Sequence, residues 1–217
     1  MTLGELKAQF KGLLNNNVIN KSDALVTLFI NQAIMRIQRE LRVPFMEKQI
    51  LYTIPEDYKK LAIPADLLEL IAIMVDADAD GILEYELIRS TLNKVVASSE
   101  MPGMAPRIFT RQGGSWILGP KPGPGSEVLI HYYAEFAALN ADTDTNTCLK
   151  VAWDAVLYGA LSAAADYLQD DERGPKFEAR YGQITKQLQD QADADELTAD
   201  AAVAPALPIG CDDGYDW

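Results

Sequence analysis

The chain has 217 residues with an ordinary hydrophobic content of 48%, and its 32 acidic against 19 basic side chains leave a net charge of −13. That balance argues against a duplex-binding surface, which needs Lys and Arg clustered on one face. No apolar run reaches the roughly 18–20 residues of a membrane span, the start MTLGELKAQF carries no signal-peptide pattern, and Cys148 and Cys211 are too few for a disulfide framework.

In chain order, Thr2 and Glu5 have the spacing of a capping box, and Leu3, Leu6, Phe10, Leu13 and Leu14 continue it as a short amphipathic helix. Asn15-Asn16-Asn17 ends that helix. Ser22 or Asp23 can cap the next, whose Leu25, Leu28, Phe29, Ala33, Ile37 and Leu41 keep the helical period to about residue 43, where Pro44 stops it. From Phe45 the period changes to two, and residues 46–54 read as a strand. Leu67 to Val75, bounded by turn signals, favours a strand, with a helix as the alternative.

Tyr85 to Ala97 reads as a helix through Ile88, Leu92, Val95 and Val96. Arg107–Arg111 and Ser115–Leu118 flank Gln112-Gly113-Gly114 as a tight hairpin. The run Pro120 to Gly125 cannot pair in a sheet, and Glu127 to Ala134 returns as a further strand.

Thr145 to Leu188 is the most strongly patterned stretch. Leu149, Trp153, Val156, Leu157, Ala160, Ala164, Tyr167 and Leu168 make one helical stripe, with Asn146 or Thr147 as its N-cap. Trp153, Tyr158 and Tyr167 are expected in the core. A second face carries small residues, among them Gly159 and Ser162, and is expected to lie against another helix in the subunit or in a neighbouring one. After Gln169–Arg173 a helix restarts at Gly174-Pro175 and runs through Phe177, Tyr181, Ile184 and Leu188, so that helices over 150–169 and 175–192 form a hairpin.

The fold expected is therefore α+β. Residues 1–44 and 145–195 form a helical bundle with a C-terminal helical hairpin, 45–144 an inserted small antiparallel β-sheet region, and 196–217 an acidic, flexible, extended tail. No Lys or Arg follows Lys186, yet the tail ends in Ile209, Tyr215 and Trp217. A solubilising tail has no need of such anchors, so these residues are candidate partner contacts.

Sites of chemistry are scarce. Asp76-Ala77-Asp78-Ala79-Asp80-Gly81 matches the first half of a calcium loop, but its closing twelfth position is Leu87, with Glu84 and Glu86 out of register. An acidic turn is the better account. His131 stands beside Tyr132 and Tyr133 with no nucleophile motif, and no Walker loop, dinucleotide fingerprint or Cys/His cluster is present. The expectation is no enzyme, no cofactor and no metal.

The order TN, LYGALSAAADYL, DDER, FEARYGQITKQL resembles the C-terminal part of tailed-bacteriophage head-to-tail adaptor proteins, the connectors that bind the portal. IPADLLEL at 63–70 and PRIFTRQGGSWILGPKPGPGSEVLIHYYAEFAAL at 106–139 extend the likeness over roughly residues 20 to 190. The resemblance implies a virion protein at the head–tail interface, assembled in the host cytoplasm as a closed homo-oligomeric ring, a dodecamer matching the portal. Implied partners are the portal protein, tail nozzle or tail tube proteins and the chain itself; DNA passes through without sequence-specific binding, and no membrane is involved. The terminal aromatics would then dock on the portal or a neighbouring subunit. Two alternatives stand beside it: an acidic intracellular interaction domain unrelated to virions, and a calcium-dependent module using Asp76 to Asp80. Net charge alone fits either a solvated acidic surface or a channel lining that repels nucleic acid.

Overall fold

The computed structural model describes residues 1–56, 58, 60–76, 82–99 and 105–201. Its first helix, α1 (Leu3–Leu14), begins at the expected capping box: Glu5 N–H donates to Thr2 Oγ1 and Thr2 N–H to Glu5 Oε2. Asn15 closes it in the left-handed region. Ser22 caps α2 (Asp23–Glu40) by accepting from Leu25 N–H. That helix unwinds at Leu41, before the expected limit at 43. The Arg42 guanidinium donates to the carbonyls of Gln38 and Leu41, satisfying groups that a longer helix would have paired.

Among the described residues between 45 and 134 lie eight strands and one helix: β1 (Glu47–Thr53), β2 (Leu61–Ala62), β3 (Leu67–Asp76), β4 (Tyr85–Glu86), β5 (Ile88–Arg89), α3 (Leu92–Ser99), β6 (Ile108–Gln112), β7 (Ser115–Gly119) and β8 (Glu127–Ala134). They form two four-stranded sheets, ordered β1-β8-β3-β4 and β2-β7-β6-β5. This corrects the expectation of one small antiparallel sheet, because the β5–β6 pair in the second sheet is parallel. In the first sheet β1 meets β8 in unbroken register, from Glu47 opposite Tyr133 to Thr53 opposite Glu127. Val128, Ile130 and Tyr132 of β8 are fully buried at alternate positions, as one-sided burial of a strand requires. The β6–β7 turn is Gly113-Gly114, with Gly113 at φ +62°.

The helix expected over 85–97 is also corrected: only Leu92–Ser99 is helical. Upstream, the backbone is taken by distant strands. Leu87 N–H donates to the carbonyl of Ile73, Ile88 N–H to Arg107 and Ser90 N–H to Phe109. A helical period cannot prevail where those amides are already paired.

The strongest stripe forms two helices rather than one, α4 (Thr147–Val151) and α5 (Trp153–Leu168), joined at Ala152 with φ −127° and ψ 39°. Asn146 is the N-cap, accepting from Leu149 N–H. The last helix, α6 (Gly174–Ala201), runs past the expected end at 192. Two core expectations fail: Trp153 is 37% and Tyr167 59% exposed. Tyr167 meets only the Phe29 ring of α2, centroids 5.7 Å apart, among the ring contacts of the described residues, and Trp153 faces an open notch beside α1, while Tyr158 is half-buried against Phe177.

Burial falls into two clusters. One gathers Leu6, Phe10, Ile30, Ile37, Leu149, Val156, Ala160 and Tyr181 from the helices, and the other Ile73, Val75, Trp116, Leu118, Val128 and Ile130 from the strands. Cys148 is buried in the first, which pushes its thiol up to about 12 and removes it from thiolate chemistry. Among the described residues, no helix is long and apolar enough to cross a membrane.

α5 lies between α2 and α6. A Cβ added at Gly159 would stand 3.1 Å from Ala33 Cβ and 3.2 Å from the Tyr181 ring, so glycine sets the approach of both neighbours. Gly159→Leu should overpack this junction and lower unfolding free energy by about 1–3 kcal/mol. Urea denaturation of the variant measures it, and an unchanged midpoint would contradict the packing described.

Candidate interaction surfaces

The helical layer opens on one side as a cleft of about 880 Å³ between α2 and α6, floored by Ala33, Gly159, Ala163 and Ala165. Its wall is an ion-pair network. Arg36 on α2 donates from both terminal nitrogens to the Glu178 carboxylate on α6, at 2.9 and 2.6 Å, and from Nε to Glu40 at 2.8 Å. The guanidinium carbon lies 4.2 Å from the centre of the Tyr181 ring, and Tyr181 Oη donates to Glu40 at 2.6 Å. Ser162 Oγ, from α5, donates to the same Glu178 at 2.8 Å.

A planar fork meeting a carboxylate on two bonds fixes direction as well as distance. The bond from Arg36 holds the Glu178 carboxyl below the usual carboxylate range, and the bonds from Glu178 raise the Arg36 guanidinium further. Burial, then the bond to Glu40, raises the Tyr181 phenol. All three groups therefore keep their charge states through neutral pH. The arrangement fastens three helices and offers no proton to move.

Further contacts tie elements together. At the α5–α6 turn, Asp170 accepts from Arg173 N–H and Nε, while Arg173 also donates to the carbonyl of Leu14 at the end of α1. In the first sheet, Asp66 accepts from Lys48 Nζ at 2.6 Å and Tyr132 Oη at 2.9 Å. Burial opposes ionisation of Asp66, but these bonds outweigh it and hold its carboxyl low. His131, the one histidine, bonds through Nε2 to Glu47 at 2.8 Å across β1 and β8.

Of the candidate contact residues, Gly159 is buried between α2 and α6, and Ser162 is half-buried on the cleft through its bond to Glu178. Ile209, Tyr215 and Trp217 lie outside the described residues. So do Ala77 to Gly81 of the calcium-like run; Asp76 ends β3 in a buried position and Leu87 is buried. Among the described residues, no group of three or more His, Cys, Asp or Glu side chains is placed to hold a metal. Sequence reasoning missed Arg36, Glu40 and Glu178. The i,i+4 spacing of Arg36 and Glu40 was visible, but nothing in the sequence joins Arg36 to a residue 142 positions away.

The Glu178 side chain is 47% exposed, so solvent screens the pair. Glu178→Gln should lower stability at pH 7 by about 0.5–1 kcal/mol. The folded-state pKa of Glu178 is depressed, so its contribution is complete above the unfolded value near 4.5 and is lost as pH falls through the folded value. Denaturation of both proteins across that window should show the difference closing under acid. A pH-independent difference would contradict it.

No curated protein matches the chain. The family model described as SU10 adaptor protein matches residues 1–205, and so takes in the helices, both sheets and the cleft. The chain therefore belongs to the SU10 adaptor protein family, a family of bacteriophage head-to-tail adaptors that are structural proteins and not enzymes.

Proposed function

We propose that this chain forms a closed ring, a dodecamer, that joins head to tail in the phage particle. One side of the ring binds the portal protein, and the other presents a platform to tail nozzle or tail tube proteins. The observation that carries this reading is the family match over residues 1–205, which leaves only the last part of the chain outside it. Heterologous side-to-side contacts that close on themselves are the physical route from one subunit to such a ring.

Charge supports the channel role. A net charge of −13 on each subunit opposes adhesion of DNA, so duplex slides past without sequence-specific contacts. The helical segments 1–44 and 145–195 act as one unit and the 45–144 insert as a second. On this reading no residue performs catalysis, and assembly proceeds in the host cytoplasm before the protein enters the virion.

The test is assembly with the portal. Purified adaptor and portal, mixed and examined by light scattering and negative-stain microscopy, should give one adaptor ring per portal ring with a single axial channel. Adaptor that stays monomeric and unbound with assembled portal present would overturn the proposal.

A further inference from the structure

On the far side of α5 from the cleft is a second concavity, a shallow apolar notch of about 430 Å³. It is lined by Gln9, Gly12, Leu13, Trp153, Leu157 and Tyr158, so α1 forms one wall and the start of α5 the other. Leu13 is 51% exposed and Trp153 37%, an arrangement that leaves a large aromatic and a leucine facing the same open space. Gly12 sharpens the point. A Cβ placed there would meet nothing within 4 Å, so no contact in the described structure requires glycine. Glycine inside a helix is unfavourable relative to alanine, and here its effect is to keep the notch open.

The same chain carries an occupant of matching chemistry. Sixteen residues follow Ala201, and they include Ile209, Tyr215 and Trp217. The geometry of α6 brings their starting point within range. Gly159 approaches Tyr181, Ser162 bonds Glu178, and Gly174 approaches Ala165, so α6 runs back along α5 toward Trp153. Trp153, six residues before Gly159, is level with position 187. The helix then continues for 14 residues, roughly 21 Å at 1.5 Å per residue, before Ala201. Sixteen extended residues span up to roughly 50 Å, which covers that return.

We propose that the C-terminal segment ending in Tyr215 and Trp217 folds back onto its own subunit and buries its aromatic side chains in the notch between α1 and α5. Asp154, the acid beside Trp153, accepts from Ala155 N–H on its own helix. The inference does not rest on the ring reading, since it concerns a single subunit.

The experiment uses the full chain with p-benzoylphenylalanine in place of Trp217, irradiated and mapped by mass spectrometry, in an equal mixture of isotopically light and heavy protein. Cross-links should fall on α1 near Leu13 or on α5 near Trp153, and should join light to light and heavy to heavy. Leu13→Glu should reduce their yield at least fivefold. Gly12→Phe, at a position with open space around it, should do the same by filling the notch, with the helical circular dichroism of both variants unchanged. Cross-links elsewhere, light-to-heavy cross-links making up about half of the total as random pairing between chains would give, no cross-links, or yields unmoved by either variant would overturn the proposal.

Discussion

The helical part of the molecule depends on how closely α2 and α6 approach α5. Gly159 permits that approach, with Ala33 on one side and the Tyr181 ring on the other. The Arg36–Glu178 fork then spans the gap above it and pins α2 to α6 directly. Close packing fixes the distance and the ion pair fixes the direction. Because the pair is half-exposed, most of the stabilisation comes from the buried contacts beneath it.

The strand region is held by different means. β8 is the shared partner, paired along its length with β1 on one side and β3 on the other. Its alternate residues Val128, Ile130 and Tyr132 go to the strand cluster, while Tyr133 packs against the helical one. One strand thus touches both clusters, and Asp66, bonded to Tyr132 and Lys48, secures its end of the sheet. Membership of a structural adaptor family fits a molecule in which the Arg36–Glu178, Arg173–Leu14 and Asp66–Tyr132 bonds fasten elements to one another. It implies work within the virion, in contact with other head or tail proteins.

Local chemistry made much of this legible in the sequence. The Thr2–Glu5 capping box, the Ser22 and Asn146 caps and the Gly113-Gly114 turn each depend on neighbours within a few residues, and each stands where its residues placed it. The small-residue face of α5 announced a close approach, though not its partners, Ala33 and Tyr181. What escaped was decided at long range. Residues 85–90 lost their helical reading to carbonyls at Ile73, Arg107 and Phe109. Two sheets could not be told from one, because β2, β4 and β5 are each two residues long and owe their existence to longer partners. The break at Ala152 has no proline or glycine to mark it, and the Glu178 partner of Arg36 leaves no trace in local spacing.

Native-state hydrogen exchange tests the central claim, that α5 and its close contacts hold the helical layer as one cooperative unit. On this account the amides of α5 around Gly159 exchange only through global unfolding, and those of α2 near Ala33 and of α6 near Tyr181 share the same opening free energy. If α6 instead exchanged by a separate, lower-energy opening while α2 and α5 stayed protected, the Gly159 junction would not be the constraint on which the layer depends.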